Sequence, residues 1–193
     1  RKLTTVGVTG TDGKSTTVGM IAHILKETGM TYGAASTTFF ETNGLRHINQ
    51  THKTSIDPFV LQRFLRKLVD QGCTHAVLET SSHGLVQHRA DYTWPTVAAI
   101  TNTTPEHLDY HGDMETYRAD KGKLFEMLRG CGAKVLNADD ESFGLYSKIS
   151  SEKTVTYGLS PRHAEEPRPV VRQAHHDVGT GRGVSKHFWL SDI

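Results

Sequence analysis

Apolar positions along the chain fall into short runs that alternate with helical stripes. Residues 3–8 read as a strand. Residues 15–30 read as a helix, with Val18, Ile21, Ile24 and Leu25 at the spacing of one face and Gly29 where a left-handed cap ends it. Asp57-Pro58 reads as an N-cap and first helical residue, followed by the stripe Phe59, Leu61, Phe64, Leu65 and Leu68 and a stop at Gly72. HAVLET (75–80) and TVAAIT (96–101) lack alternation, as strands covered on both faces do. A helix over 114–128 places Tyr117, Leu124, Phe125 and Leu128 for burial, and AKVLN (133–137) follows as a strand. Alternating strand and helix predicts an α/β domain of three layers, with a mostly parallel central sheet flanked by crossover helices. That domain is expected over residues 1–158. Residues 159–193 are rich in Pro, Arg and His; they read as an extension of the domain or an irregular tail, with KHFWL (186–190) as one more strand.

Between the first strand and its helix lies GVTGTDGKSTT, residues 7–17. Glycines let backbone N–H groups approach an anion, and the helix start adds partial positive charge. Lys14 would neutralise outer phosphates and Ser15 could place a hydroxyl on magnesium. The usual P-loop spacing wants a glycine at position 8, which is Val8; here Gly7, Gly10 and Gly13 precede Lys14. The plainer alternative is a glycine-rich turn that caps a helix. The order strand, glycines, Lys-Ser, helix favours a P-loop.

Composition narrows the partners. Lys and Arg number 22 against 21 Asp and Glu in 193 residues, which offers no argument for nucleic acid or anionic membrane as the main partner. Two cysteines make no disulfide framework, and both are expected as buried, reduced thiols. No apolar run nears the roughly 20 residues of a membrane helix, and no signal peptide opens the chain. A cytoplasmic location is expected. The chain opens two residues before its first strand, which reads as a fragment.

Ligands of parallel sheets bind beyond the carboxyl ends of the strands. Glu79 follows AVL, and Thr101 to His107 follow VAAI, so three strand ends would bring a phosphate cradle, a carboxylate and a histidine to one rim. Glu79 is the best magnesium candidate, because that ion prefers oxygen ligands; the alternative is an ordinary strand-end carboxylate. His107 and His111 are four apart, but Asp109, Tyr110 and Gly112 make the stretch turn-prone and argue against a shared zinc. Most of the 12 histidines, His175-His176 included, are expected to face solvent.

VTGTDGKSTT, LETSSHGLVQHR, TNTTPEHLDYHGDMETYRADKGKLF and LNADDE, in this order, resemble the central ATP-binding domain of the Mur ligases over residues 3 to about 141. The likeness is nearest to the MurE branch, which adds the third amino acid to UDP-N-acetylmuramoyl-L-Ala-D-Glu. The resemblance implies that Gly10, Thr11, Asp12, Gly13, Lys14, Ser15 and Thr16 hold the ATP phosphates, with Lys14 on the β and γ groups and Ser15 on Mg2+. It implies Glu79 and His107 as magnesium ligands, and Lys121 as the lysine this family carbamylates to N6-carboxylysine, a further ligand. Thr54, Ser55, Ser81, Gln87 and Arg89 fall where the family contacts its UDP-muramyl-peptide. Two residues depart from the pattern: Asp12 stands for the usual Asn, and Glu106 for the usual Asp. The family also has an N-terminal domain for the UDP moiety and a C-terminal domain that completes the ATP site and selects the amino acid. The implied activity is an ATP-dependent acid–amino-acid ligation through an acyl phosphate, which this fragment alone is not expected to perform. Alternatives are a folylpolyglutamate- or cyanophycin-synthetase-like ligase, or a nucleotide-binding module without ligase activity; SSHGLVQHR favours the muramyl branch.

Overall fold

The structure, a computed structural model, describes residues 3–50, 53–128 and 130–159. The expectations placed on residues 160–193 lie outside the described residues. Among the described residues the strands are β1 (Thr4–Thr9), β2 (Tyr32–Ala35), β3 (Phe39–Thr42), β4 (Leu45–Ile48), β5 (His75–Glu79), β6 (Val97–Ile100), β7 (Ala133–Asn137) and β8 (Lys153–Tyr157). The helices are α1 (Lys14–Glu27), α2 (Pro58–Asp70), α3 (Ser82–Val86), α4 (Leu108–His111), α5 (Met114–Glu126) and α6 (Phe143–Ser147). The strands form one sheet in the order β4-β3-β2-β5-β1-β6-β7-β8. Its six strands from β2 to β8 run parallel, and β3 and β4 add an antiparallel edge.

Helices cover both faces. Val8 and Val77 turn to one side, where Val18 and Ala22 of α1 meet them. Gly7 turns to the other, and any Cβ there would collide with Leu124 of α5. Gly33 leaves the same kind of space for Leu68 of α2. Leu85 of α3, Leu124 and Phe125 of α5 and Tyr146 of α6 join Ala98, Ile100 and Leu136 in one cluster on that second face. Each such large apolar side chain contributes roughly 2 kcal/mol by leaving water. The α/β expectation therefore holds, and the three layers are visible. No helix among the described residues is long and apolar enough to cross a membrane.

The helix expected over 15–30 ends at Glu27, with Thr28 as C-cap and Gly29 at φ +73°. Ile24, expected on its buried face, is 60% exposed, because the sheet meets the Val18–Ala22 line instead. Asp57 does cap α2, accepting from the Phe59 N–H at 2.9 Å, but Phe59 itself is 80% exposed in the overhanging first turn. Cys73 is buried as expected; Cys131 is exposed, in the turn between Gly130 and Gly132.

Candidate active site

Sheet order sets the site. β1 lies between β5 and β6, so the segments leaving their carboxyl ends are neighbours. The segment after β1 is the glycine loop. Gly10 sits at φ +145°, and a Cβ on it would overlap the Thr101 hydroxyl. Only glycine permits both that backbone conformation and that approach. Thr101 Oγ1 donates to Asp12 O at 2.6 Å, the Asp12 N–H donates to Asn102 Oδ1 at 2.9 Å, and the Thr11 N–H donates to Asn102 O at 2.9 Å. The loop is thereby stapled to the segment after β6. Gly13, at φ +76°, starts α1 without any side-chain cap, so that helix start presents backbone N–H groups with their partial positive charge. Lys14 Nζ already bends over the loop, donating to Thr11 O at 2.6 Å. Asp12, Gly13 and Thr16 are exposed at its rim.

Ser15 Oγ donates to Glu79 Oε2 at 2.7 Å. Glu79 also accepts from the backbone N–H and the hydroxyl of Thr37, each at 2.9 Å, which orients a carboxylate that is 7% exposed. The sequence did not single out Thr37, which leaves β2 beside β5.

An open cleft of about 490 Å³ lies alongside, with Gly10 and Lys14 in its wall. Lys53, Arg89 and Lys121 join Lys14 as cations around it. Thr54, Ser55, Ser81 and Gln87 supply polar groups, so all five residues expected at the second substrate line it. Ser55 and Ser81 hydroxyls are 3.0 Å apart, the Ser81 N–H donates to Ser55 Oγ at 2.9 Å, and Arg89 Nη1 donates to Ser55 O at 2.9 Å. His107 and Lys121 line the same cleft, whereas Glu79 opens on an adjacent recess that shares Thr54, Ser55 and Arg89 with it. Ser82 and His83, which the motifs contain but the sequence reading left unassigned, line the cleft as well, as does Lys53, which lies outside the motifs.

Lys121 is 1% exposed. Its Nζ donates to Gly10 O at 2.8 Å and lies 4.3 Å from the centre of the Tyr117 ring. Burial, with help from the Lys14 charge, brings its pKa down to about 7, against the opposing pull of Glu106, Asp12 and Asp140. Its amine is thus available in neutral form near neutral pH. His107 occupies the left-handed region at φ +56°, a strained conformation for a non-glycine residue, and its ring meets that of His83 edge-on at 4.9 Å. His111 is an exception among histidines expected mostly to face solvent. Its side chain is fully buried, with Nδ1 2.7 Å from Asp120 Oδ2 and Nε2 3.0 Å from Ser82 Oγ.

The donor set suits a hard cation beside phosphates. Ser15 and Glu79 offer oxygens, and among the described residues no group of three or more His, Cys, Asp or Glu could hold an ion alone. Magnesium commonly takes one or two carboxylates and completes its shell with phosphate and water oxygens. The ammonium form of Lys121 could not ligate it.

A glycine loop between adjacent parallel strands, an uncapped helix start, a Lys-Ser pair and a carboxylate on the next strand define a P-loop-type nucleotide-binding α/β domain. Within that class the chain belongs to the Mur ligase family: residues 8–181 match the Mur ligase middle domain. It is 36% identical to the UDP-N-acetylmuramoyl-L-alanyl-D-glutamate--2,6-diaminopimelate ligase of Bacillus licheniformis, over 82% of this chain and 33% of that protein. It is 39% identical to UDP-N-acetylmuramyl-tripeptide synthetase 2 of Oceanobacillus iheyensis, over 81% of this chain and 32% of that protein. A solved UDP-N-acetylmuramoyl-L-alanyl-D-glutamate--2,6-diaminopimelate ligase superposes with a TM-score of 0.75 at 32% identity, covering 84% of this chain and 33% of that one. The chain spans about a third of the length of the curated relatives it matches.

Proposed function

We propose that the chain is the central, ATP-binding domain of a ligase that adds an amino acid to UDP-N-acetylmuramoyl-L-Ala-D-Glu during synthesis of peptidoglycan precursors. One observation carries this reading: Gly10 and Lys14 of the phosphate loop line the same cleft as Ser55, Ser81, Gln87 and Arg89. A nucleotide and a second anionic substrate can therefore meet there. In the proposed reaction a substrate carboxylate oxygen attacks the γ-phosphorus of ATP, ADP leaves, and an acyl phosphate results. The incoming amine then attacks the acyl carbon, phosphate leaves, and the amine sheds a proton. The protein's part is alignment and charge neutralisation. The glycine loop and Lys14 hold the phosphates, while Arg89, with its bidentate fork, holds an anionic group of the muramyl-peptide.

Ser15 and Glu79 are the residues that would hold magnesium; bound there, the ion would offset phosphate charge. We assign His107 and a carbamylated Lys121 to a second ion. The neutral Lys121 amine adds to carbon dioxide and loses a proton, replacing a cation by an oxygen-bearing anion. The low pKa of Lys121 supports this modification. Residues 1–158 make up the domain in this reading, and 159–193 extend or trail it. The domains that bind the UDP moiety and choose the amino acid belong to chain beyond this one. ATP and a UDP-linked substrate set the work in the cytoplasm.

Calorimetric titration of the longer protein that carries this domain together with its UDP-binding domain, with MgATP and separately with UDP-N-acetylmuramoyl-L-Ala-D-Glu, tests the reading. Both are expected to bind, and tripeptide formation by this chain alone is not. Binding of MgATP without the UDP ligand would favour a nucleotide-binding module without ligase activity. Binding of neither would overturn the proposal.

A further inference from the structure

His111 stands apart from the groups assigned above, yet it is the centre of a continuous polar chain. Asp120 Oδ1 accepts from Lys123 Nζ at 2.6 Å, Asp120 Oδ2 faces His111 Nδ1 at 2.7 Å, and His111 Nε2 faces Ser82 Oγ at 3.0 Å. Ser82, His111 and Asp120 are 2%, 7% and 8% exposed. The imidazole is wedged between rings, with Tyr110, Tyr117 and His83 centred 4.8, 4.9 and 5.2 Å away. It has no freedom to swing toward other partners.

The chemistry gives this chain a direction. A carboxylate only accepts hydrogen bonds, so the Asp120-facing Nδ1 carries the hydrogen. In a neutral ring Nε2 is then the acceptor, and the Ser82 hydroxyl has to donate to it. Ser82 has thereby used its single donor, and only lone pairs remain on its oxygen. Ser82 lines the cleft, between Ser81 and His83, which line it too.

We propose that Ser82 is a hydrogen-bond acceptor for an N–H group in the peptide part of the cleft's ligand, with His111 and Asp120 as the residues that fix its polarity. The proposal rests on the reading of the cleft as the muramyl-peptide site. It also gives a reason for the sealed His–Asp pair that stands behind a wall rich in cations. The cations Lys14, Lys53 and Arg89 answer carboxylates and phosphates, but none of them can accept from an amide.

Two measurements test it. In nitrogen-15 spectra of the chain, His111 should show a protonated Nδ1 and a bare Nε2; a hydrogen on Nε2 would overturn the polarity. In the longer protein that includes the UDP-binding domain, Ser82→Ala should bind UDP-N-acetylmuramoyl-L-Ala-D-Glu roughly five- to tenfold more weakly, the range of one lost hydrogen bond, and bind UDP-N-acetylmuramic acid, which lacks the dipeptide, as the parent does. Asp120→Asn, isosteric but able to donate to Nδ1, should move the hydrogen to Nε2 and reproduce the same selective loss. A merely structural role would weaken both ligands alike or neither, and either result would sink the proposal. A longer parent protein, UDP-binding domain included, that binds MgATP but neither UDP ligand would overturn the substrate reading, and the N–H role with it. The spectrum would still decide the direction of the relay.

Discussion

The Ser15 hydroxyl and the Glu79 carboxylate, 64 residues apart in sequence, share a hydrogen bond of 2.7 Å that joins the first turn of α1 to the end of β5. The pair is a ready oxygen donor set beside the phosphate loop, and Thr37 fixes its orientation. Glu79→Gln keeps the shape but replaces one oxygen by an N–H2 donor. MgATP affinity should fall about tenfold or more, while the metal-free ATP affinity, measured in chelator, should stay near that of the parent. An equal loss with and without magnesium would remove Glu79 from the metal assignment.

Lys14 bends toward Thr11 O and adds to the forces that lower the Lys121 pKa. Lys14→Ala should therefore do two things. It should weaken MgATP binding by at least an order of magnitude, the scale of a lost charge-assisted contact in a partly enclosed site. It should also raise the pH at which Lys121 reacts with cyanate, read by mass spectrometry of the labelled peptide. An unmoved midpoint would separate the two lysines electrostatically.

With its pKa near 7, Lys121 in the parent should be labelled by cyanate with a midpoint close to that pH, while exposed lysines follow the ordinary value of about 10.4. Stability should respond in step. Between about pH 7 and 10 the unfolded chain keeps a proton on this amine that the folded chain has released, so stability rises with pH across that window. Lys134, whose pKa burial lowers to about 8, acts in the same direction. Urea midpoints at pH 7 and pH 9 should show the rise, and Lys121→Met should flatten it; an unchanged slope in that variant would contradict the buried ammonium.

Gly10→Ala meets the Thr101 hydroxyl and the Asn102 backbone at a φ that side chains avoid. Relieving that overlap requires moving the loop off the segment after β6, and loss of ATP binding with a destabilisation of at least ~3 kcal/mol is expected. Gly29→Ala, also at positive φ but facing open space, should cost only about 1 kcal/mol. Similar midpoints for the two variants in chemical denaturation would refute the steric account of the loop.

Four of the six parallel strands were legible in the order of residues, β5 and β6 because they are largely buried and read as short apolar runs, whereas β2 and the half-exposed β8 were not read from the sequence. Asp57-Pro58 announced α2 because an N-cap is a local hydrogen bond, and Gly29 announced the end of α1 because a left-handed residue is a local demand. The antiparallel edge was less visible. Asn43-Gly44, at φ +48° and +85°, is the hairpin signal that could have found β3 and β4, but β4 is exposed along its length and carries no alternation to support it. Ile24 and Phe59 matched helical stripes and still face solvent, since periodicity names a face without saying where the sheet ends.

By itself the sequence determined the glycine loop and much of the cleft's polar lining, since Gly10 to Thr16 form one continuous segment and the motifs around Ser81 and His107 are compact, but it left Lys53, Ser82 and His83 unassigned. Only the tertiary structure decided which distant groups act on one another. Sheet order made neighbours of the segments after β1, β5 and β6, bringing Glu79 to Ser15 and Thr101 to Gly10. Packing of α5 against β1 buried a lysine that sequence would leave charged, and sealed His111 between Asp120 and Ser82. Hydrogen-bond geometry and desolvation depend on what surrounds a side chain in space, and the contacts that supply them lie from 9 to 111 residues away along the chain.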